Sequence, residues 1–273
     1  MGDVRRIQAK AASPDAESTL FVQSVEKAMK VLMAFDGSKR HLSLTEIAVL
    51  TDLDNSAAQR FTHTLTALGY LVKDSSTRKY ELSVRLLDFT YHYLASNEMV
   101  QRAAPVLQRL ARETEEACNL TVPEGADIVI VLRIVSRNVL NPNVIVGTRL
   151  PAYCTAPGLA MLSTRSQEEV DALLKRSELV RHTPSTVTDP RKIKARLARI
   201  RAAGYAHTQH ELYPDDISTA APILAANGRA IGALNIAVSR ARWNDGRDEP
   251  RFADLLRGAA ASISAPRLPH RKV

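Results

Sequence analysis

The chain has 273 residues, 45% hydrophobic and 24% charged, a composition that supplies apolar material for one or two ordinary cores and excludes wholesale disorder. Its start, MGDVRRIQAKAASPDAES, holds no apolar core of signal-peptide length, and the longest apolar run, residues 128–132, is far too short to cross a bilayer, so neither export nor a membrane partner is expected. Cys118 and Cys154 are the only cysteines and lack C-x-x-C spacing, which argues against a disulfide framework or a thiolate zinc site and fits a reducing cytoplasm. The net charge of +8 invites a nucleic-acid reading, but residues 1–97 carry 12 Lys and Arg against 11 Asp and Glu, so the excess lies further along and in the tail HRKV. Only local clusters can locate a DNA site.

Residues 1–20 are expected to be disordered. Val22, Val25, Met29, Leu32 and Met33 keep a 3,4 spacing that predicts a short amphipathic helix ending near Gly37. Ser43-Leu44-Thr45-Glu46 reads as a capping box opening a second helix to about Leu50, which buries Leu44, Ile47 and Ala48. TDLDN is a tight turn in which Leu53 plugs the angle and Asp54 or Asn55 caps a third helix to Leu68. That helix turns Phe61, Leu65 and Leu68 to one side and Ser56, Gln59, Arg60 and His63 to another. The second face has one cation among small hydrogen-bonding groups and no Glu/Lys pairs at i,i+4, as a surface reading base edges would. After Gly69, residues 70–72 and 80–82 alternate as strands around KDSSTRK, a hairpin wing. Residues 21–82 are thus expected to form a winged helix-turn-helix. Its candidate DNA contacts are Thr45, Asn55, Ser56, Ala57, Gln59, Arg60 and His63 on helices, and Lys73, Arg78 and Lys79 on the wing. The competing reading is a plain three-helix bundle with a solvated hairpin.

Residues 83–97 form a linker, helical in pattern, whose wide apolar face of Leu86, Leu87, Thr90, Tyr91, Tyr93 and Leu94 needs a partner, in a second copy or in the same chain. In residues 98–265 a helix with Pro105 in its first turn continues through Leu107, Leu110, Ala111 and Thr114. Strands are predicted at 120–122, 128–135, 144–146, 205–211, 217–224 and 231–238, the last two joined by Asn227-Gly228. Helices follow Thr155, Gln167 and Asp189-Pro190, and another covers 252–263. This is an α+β pattern with a mainly antiparallel sheet, followed by a flexible basic tail at 266–273. The helix starting at Ala156, with Pro157 and Gly158, offers free N–H groups to a carboxylate, and Val139, Leu150 and Tyr153 supply apolar walls. Asn235 lies within an apolar run and needs a hydrogen-bond partner, of which a ligand is one candidate.

Catalytic motifs are missing: there is no G-x-S-x-G, Walker loop, G-x-G-x-x-G or H-E-x-x-H. His207 and His210 are three apart in a predicted strand and so face opposite sides, and Cys154 has no identifiable base. No catalytic residue, metal or cofactor is therefore expected. A hydrolase or transferase with an interaction bundle, or a redox sensor using Cys154, is the alternative.

Four segments in order, SLTEIAVLTDLDNSAAQRFTHTLTALGYL, VGTRLPAYCTAPGLAMLS, GYAHTQHEL and AAPILAANGRAIGALNIAV, resemble the IclR family of bacterial transcriptional regulators from about Val22 to Ile263. The resemblance implies a GAF-like effector domain after the linker helix, double-stranded operator DNA and a small organic acid as partners, and a homodimer or dimer of dimers. It places strands carrying Thr208, Asp216, Ser218, Asn235 and Ala237 opposite the helix at Ala156. TRLPAYCT is nearest to the branch that resembles regulators of aromatic-acid catabolism. Around the recognition helix the family commonly has Lys-Ser-Thr-Val-His-Arg; Ser56 and Arg60 match, while Ala57 and Gln59 depart. Pro157-Gly158-Leu159 lacks the Lys or Arg usual after that segment.

Overall fold

The computed structural model describes residues 18–37, 39–135 and 144–265, so most of the expected N-terminal arm, the basic tail and the candidate pocket residue Val139 lie outside the described residues. The chain divides into two compact units, Met1–Ser96 and Asn97–Val273.

The first unit is built from α1 (Gln23–Met33), α2 (Leu44–Thr51), α3 (Asn55–Ala67) and a two-stranded hairpin of β1 (Leu71–Lys73) and β2 (Tyr80–Leu82). Each helix start has a local cause. Ser43 caps α2 in a reciprocal box, its Oγ accepting from the Glu46 N–H while the Glu46 carboxylate accepts from the Ser43 N–H. Those bonds to Ser43 hold the Glu46 carboxyl at about 2. Asp52 ends α2 in the left-handed region, and Asp54 caps α3 by accepting from the Ala57 N–H at 2.7 Å. Val31, Leu42, Ile47, Leu65, Leu71 and Tyr80 close the core, with Leu53 packed against it in the turn.

The structure departs from the sequence pattern at three places here. The stripe Val22, Val25, Met29 and Met33 is exposed, 51–62% for each residue, and α1 instead buries Val31, with Leu32 and Phe35 packed beside it. This short helix carries two apolar stripes, and the one continuous with Phe35 and Leu42 goes inside. It also ends at Met33 with Ala34 as its cap, ahead of Gly37. On α3 the buried line is Ala58, Thr62 and Leu65, while Leu68 is 53% exposed. Residues 84–86 form a single 3-10 turn before α4 (Leu87–Ser96), which has no buried residue. Its start is tied to the hairpin side: Phe89 stacks on Tyr70, and the Arg85 guanidinium lies over the Tyr70 ring and donates to the Leu68 carbonyl at 3.0 Å.

The second unit contains α5 (Glu98–Thr114), β3 (Ala117–Glu124), β4 (Asp127–Ile134), β5 (Arg149–Pro151), α6 (Ala156–Leu162), α7 (Gln167–Arg176), α8 (Pro190–Ala203), β6 (Ala206–Gln209), β7 (Asp216–Leu224), β8 (Ala230–Ser239) and α9 (Asp248–Ile263). The strands make one sheet in the order β5-β4-β3-β8-β7-β6, antiparallel at every pairing. The predicted strand at 144–146 is not one; β5 lies at 149–151, paired with the start of β4. Pro105 sits inside α5 rather than in its first turn, because Asn97 caps a start seven residues earlier. Residue alternation gives the sheet two faces. One packs on α5 and α9, the other on α6. All seven residues of α6 are buried, which suits a helix enclosed by β7, β8 and α8. A bulge interrupts the β3–β4 register: Leu120 pairs with Leu132 but Thr121 with Ile130, leaving Val131 as the extra residue.

Two glycines test this packing in opposite directions. A Cβ on Gly158 would meet the Ala152 carbonyl oxygen at 2.3 Å, whereas one on Gly258 of α9 meets nothing within 4 Å. Gly158→Ala is expected to destabilise the protein by roughly 1–3 kcal/mol, and Gly258→Ala to stabilise it by about 0.5–1 kcal/mol. Denaturant titration of both variants checks the pair; equal effects would contradict the packing of α6.

Candidate functional site

In the first unit the residues expected to meet DNA share one side of α3. Asn55, Ser56, Gln59, Arg60 and His63 are exposed and Ala57 half-buried, while Ala58, Thr62 and Leu65 hold the helix from behind. Thr62 and Thr64 direct their hydroxyls to the carbonyls of Ala58 and Arg60, so they are not offered outward. Thr45 is exposed on α2. On the wing the Asp74 carboxylate accepts from the Ser76 and Thr77 N–H groups and the Ser76 hydroxyl, bonds that keep it at about 2 and close the turn. Arg78 takes a left-handed φ of 59° there, and it and Lys79 project into solvent. Lys73 lies 5.1 Å above the Tyr80 ring, which steadies its stem.

The second unit holds a cavity where the sheet extends beyond the start of α6. Its cavity volume is about 50 Å³, within a wider hollow of about 550 Å³ that includes open solvent. Of the effector residues expected from the sequence, Leu150, Ala156, Pro157, Asp216, Ser218, Asn235 and Ala237 line it. Three others do not. Gly158 is pressed against Ala152, Thr208 is buried on β6 beside Ser218, and Tyr153 is buried with its hydroxyl donating to the Val180 carbonyl at 2.6 Å.

The lining also contains residues that sequence reading missed, chiefly Asn119 and Thr121 on β3, Arg133 on β4 and Tyr213 in the loop before β7. A polar row crosses four adjacent strands. Arg133 Nη1 donates to Asn119 Oδ1 at 2.9 Å, Asn119 Nδ2 to Asn235 Oδ1 at 3.3 Å, and Asn235 Nδ2 to Ser218 Oγ at 3.1 Å. The partner that Asn235 needed is therefore a neighbouring asparagine and a serine. Asp216 stands near the row's far end, where burial drives its carboxyl up to about 7 against the opposing pull of Arg133. Burial likewise disfavours the charged form of Arg133, and Asp216 restores part of it. The signal for Arg133 was obscured by the bulge: plain alternation from Ile128 and Ile130 puts Leu132 on the cavity face, and the extra Val131 turns Arg133 there instead.

With both surfaces defined, comparison with known proteins decides their family. Residues 24–75 match the IclR helix-turn-helix domain and residues 91–265 the bacterial transcriptional regulator IclR C-terminal domain. The chain belongs to the IclR family of bacterial transcriptional regulators. It is 32% identical over 260 residues to the Pca regulon regulatory protein of Pseudomonas putida, covering 95% of this chain and 87% of that one. It is 29% identical to the p-hydroxybenzoate hydroxylase transcriptional activator of Acinetobacter baylyi, covering 82% and 84%. A transcriptional regulator of known structure from Rhodococcus shares 32% identity with a TM-score of 0.78, over 89% of this chain and 97% of the other. These IclR-type relatives are regulators rather than enzymes, in line with the absence of catalytic motifs.

The remaining chemistry-bearing side chains of this IclR-family chain have structural partners. His207 stacks on Trp243 and contacts Thr219 at 3.0 Å, whereas His210 lies past the end of β6 and contacts the Pro214 carbonyl, so the two do not converge. No metal-binding group of three His, Cys, Asp or Glu occurs among the described residues, and no helix among them is long and apolar enough to cross a membrane. Cys118 and Cys154 are 0% and 1% exposed, and burial pushes each thiol up to about 12. At pH 8 the thiolate fraction is then on the order of one in ten thousand. The native protein is expected to react with a disulfide thiol reagent at less than about a hundredth of the rate of the denatured chain. Rapid labelling of Cys154 in the native protein would revive the redox alternative.

Proposed function

We propose that this protein is a cytoplasmic, dimeric regulator of a catabolic operon, in which a small organic acid bound in the second unit changes how two winged helix-turn-helix units hold an operator. The observation that carries the sensing role is the partly enclosed cavity, whose apolar walls surround a few convergent polar groups, the usual composition of a small-molecule site. An aromatic acid fits best: the Pca and p-hydroxybenzoate relatives span nearly the whole chain, and Ile128, Ile130 and Leu150 offer a ring its apolar contacts. A thermal-shift screen of small aromatic and aliphatic acids tests this, since an acid binding the native state raises the melting temperature with concentration. An acid that both shifts melting and alters operator binding is the expected hit. A complete lack of response to acids, with response to neutral or cationic metabolites, would discard the effector class.

The exposed side of α3 supports the DNA role. Gln59 and Arg60 have the donors to read base edges in the major groove, and each well-made pair discriminates by about 1–3 kcal/mol. Gln59→Ala and Arg60→Ala are therefore expected to weaken binding to the operator far more than to random DNA. Arg78 and Lys79 suit phosphates or the minor groove. Replacing both with Ala should weaken all DNA alike and reduce the slope of affinity against salt by roughly one to two. Competition gel shifts across a salt series separate the two behaviours, and equal losses from every variant would contradict the assignment.

Dimerisation is supported by two exposed apolar stripes in the first unit: Val22, Val25, Met29 and Met33 on α1, and Val84, Leu87 and Tyr91 at the linker, where Leu87 and Tyr91 are 61% and 68% exposed. Scattered apolar residues on a surface are ordinary, but aligned stripes of this kind mark interaction surfaces. A two-fold pair also matches a palindromic site. Leu87→Glu combined with Tyr91→Glu is expected to lower the sedimenting mass by at least half and abolish tight operator binding. A double variant that keeps the parent's mass and affinity would place the interface elsewhere.

A further inference from the structure

We propose that the cavity selects acids that also carry a hydroxyl, with Ser218 donating to the acid group and Asp216 accepting from the hydroxyl. The proposal deepens the effector reading above and rests on it. Asp216 and Ser218 are two apart on β7 and both line the cavity, while Ile217 between them is fully buried on the opposite face of the sheet. One strand repeat separates them by about 7 Å. A donor and an acceptor are thus fixed on one wall at a set spacing.

Much of the other polar lining is engaged within the protein. Thr121 donates its hydroxyl to the Ala233 carbonyl, and Thr155 to the Pro151 carbonyl. Asn119 and Asn235 are bonded to each other, and Arg133 donates to Asn119. Ser218 differs: its Oγ accepts from Asn235 Nδ2 at 3.1 Å, which turns its own O–H away from that amide, and no acceptor for it occurs among the described residues. Ser218 is 4% exposed, so the cavity is where that proton can be received.

Asp216 offers the complementary group. A carboxylate only accepts hydrogen bonds, and among the described residues no side chain donates one to it, although the charge of Arg133 acts on it. An acceptor left unmet in a half-buried site is costly, and a ligand O–H that reaches it recovers a charge-assisted bond. A second carboxylate beside Asp216 is repelled, so the acid end of a ligand goes to Ser218 and its hydroxyl to Asp216. The spacing favours a hydroxyl on the far side of a small ring over one next to the acid group. Ile128, Ile130 and Leu150 lie in the same lining to hold such a ring.

The test is calorimetric titration of the full-length protein with benzoate, 4-hydroxybenzoate and 4-fluorobenzoate, the last filling the hydroxyl's place without a donor. The hydroxylated acid is expected to bind roughly ten- to a hundredfold more tightly than the other two, the gain of one hydrogen bond to a charged acceptor. Asp216→Ala should reduce that advantage to within about threefold, whereas Ser218→Ala should weaken all three acids and keep the advantage. A merely structural Asp216 would weaken the three alike and leave their ratios unchanged. Asp216→Asn, which keeps the shape and loses the charge, should fall between the parent and Asp216→Ala. Equal binding of the three acids by the parent, or a full advantage retained by Asp216→Ala, overturns the hydroxyl assignment while the acid-effector reading stands. The comparison on the parent needs no variant, so it can overturn the assignment even if Asp216→Ala does not fold. Binding of none of the three by the parent overturns the aromatic-acid reading itself, and this assignment with it.

Discussion

Arginine can only donate hydrogen bonds, and that constraint orients the polar row across the effector sheet. Because Arg133 must give a proton to Asn119 Oδ1, the Asn119 amide has to present Nδ2 to Asn235, and Asn235 has to present Nδ2 to Ser218. No amide in the row can be reversed without setting donor against donor. Two buried asparagines, costly in isolation, thereby become a satisfied network with one direction. The sheet around them keeps Ala220, Ala233 and Ile128 under α6, so the polar row is confined to the strip that α6 leaves uncovered. A cavity at this place follows from α6 being short and capless: Thr155 turns away and the helix stops the apolar cover at Ala156. The same shortness makes Gly158 obligatory, since only a residue without Cβ lets the helix sit on the Ala152 turn.

How much of this was legible depends on whether a local pattern had one physical solution. The capping box at Ser43, the turn at Asp52–Asp54 and the exposed side of α3 were readable because each is fixed by neighbours within four residues. The antiparallel sheet was readable from alternation and from the Asn227-Gly228 turn, whose Gly228 has a φ of 79°. The inward face of α1 was not legible because two faces satisfied the same spacing, and only tertiary contacts with Leu42 and Tyr80 choose between them. Arg133 was missed because a single extra residue, invisible to a period-2 count, changes which side of β4 it occupies. Tyr153, expected as a wall, and Gly158, expected at the helix start, do not line the cavity. Both are conformational supports of α6, which sequence spacing does not distinguish from lining.

In the proposed dimer, an effector in the second unit can move DNA affinity only by binding one arrangement of the pair better than another. Shifting a population from 1:99 to 99:1 takes about 5.5 kcal/mol of preference, a demand a single small acid meets only in part. In the proposed dimer two sites share the task.

The strongly basic composition has little to do with DNA. Helix α8 concentrates cations, yet Lys194 pairs with Asp171, Arg196 with Glu211 and the His207 carbonyl, and Arg201 caps the Ser163 and Arg165 carbonyls. These are bonds that fasten α8 to α6, α7 and β6, and a charge so engaged is poorly placed to neutralise a phosphate. At physiological salt, fields from exposed charges also fade within about 8 Å, so the remaining cations of α8 act only on what touches them. In the reading proposed above, the cations placed to meet the operator are Arg60 on α3 and Lys73, Arg78 and Lys79 on the wing. A few phosphate contacts of this kind give one unit weak, salt-sensitive affinity, which the proposed pairing of two units would strengthen. A regulator built this way is governed by the geometry of the pair, which a ligand can alter, and not by the strength of either grip.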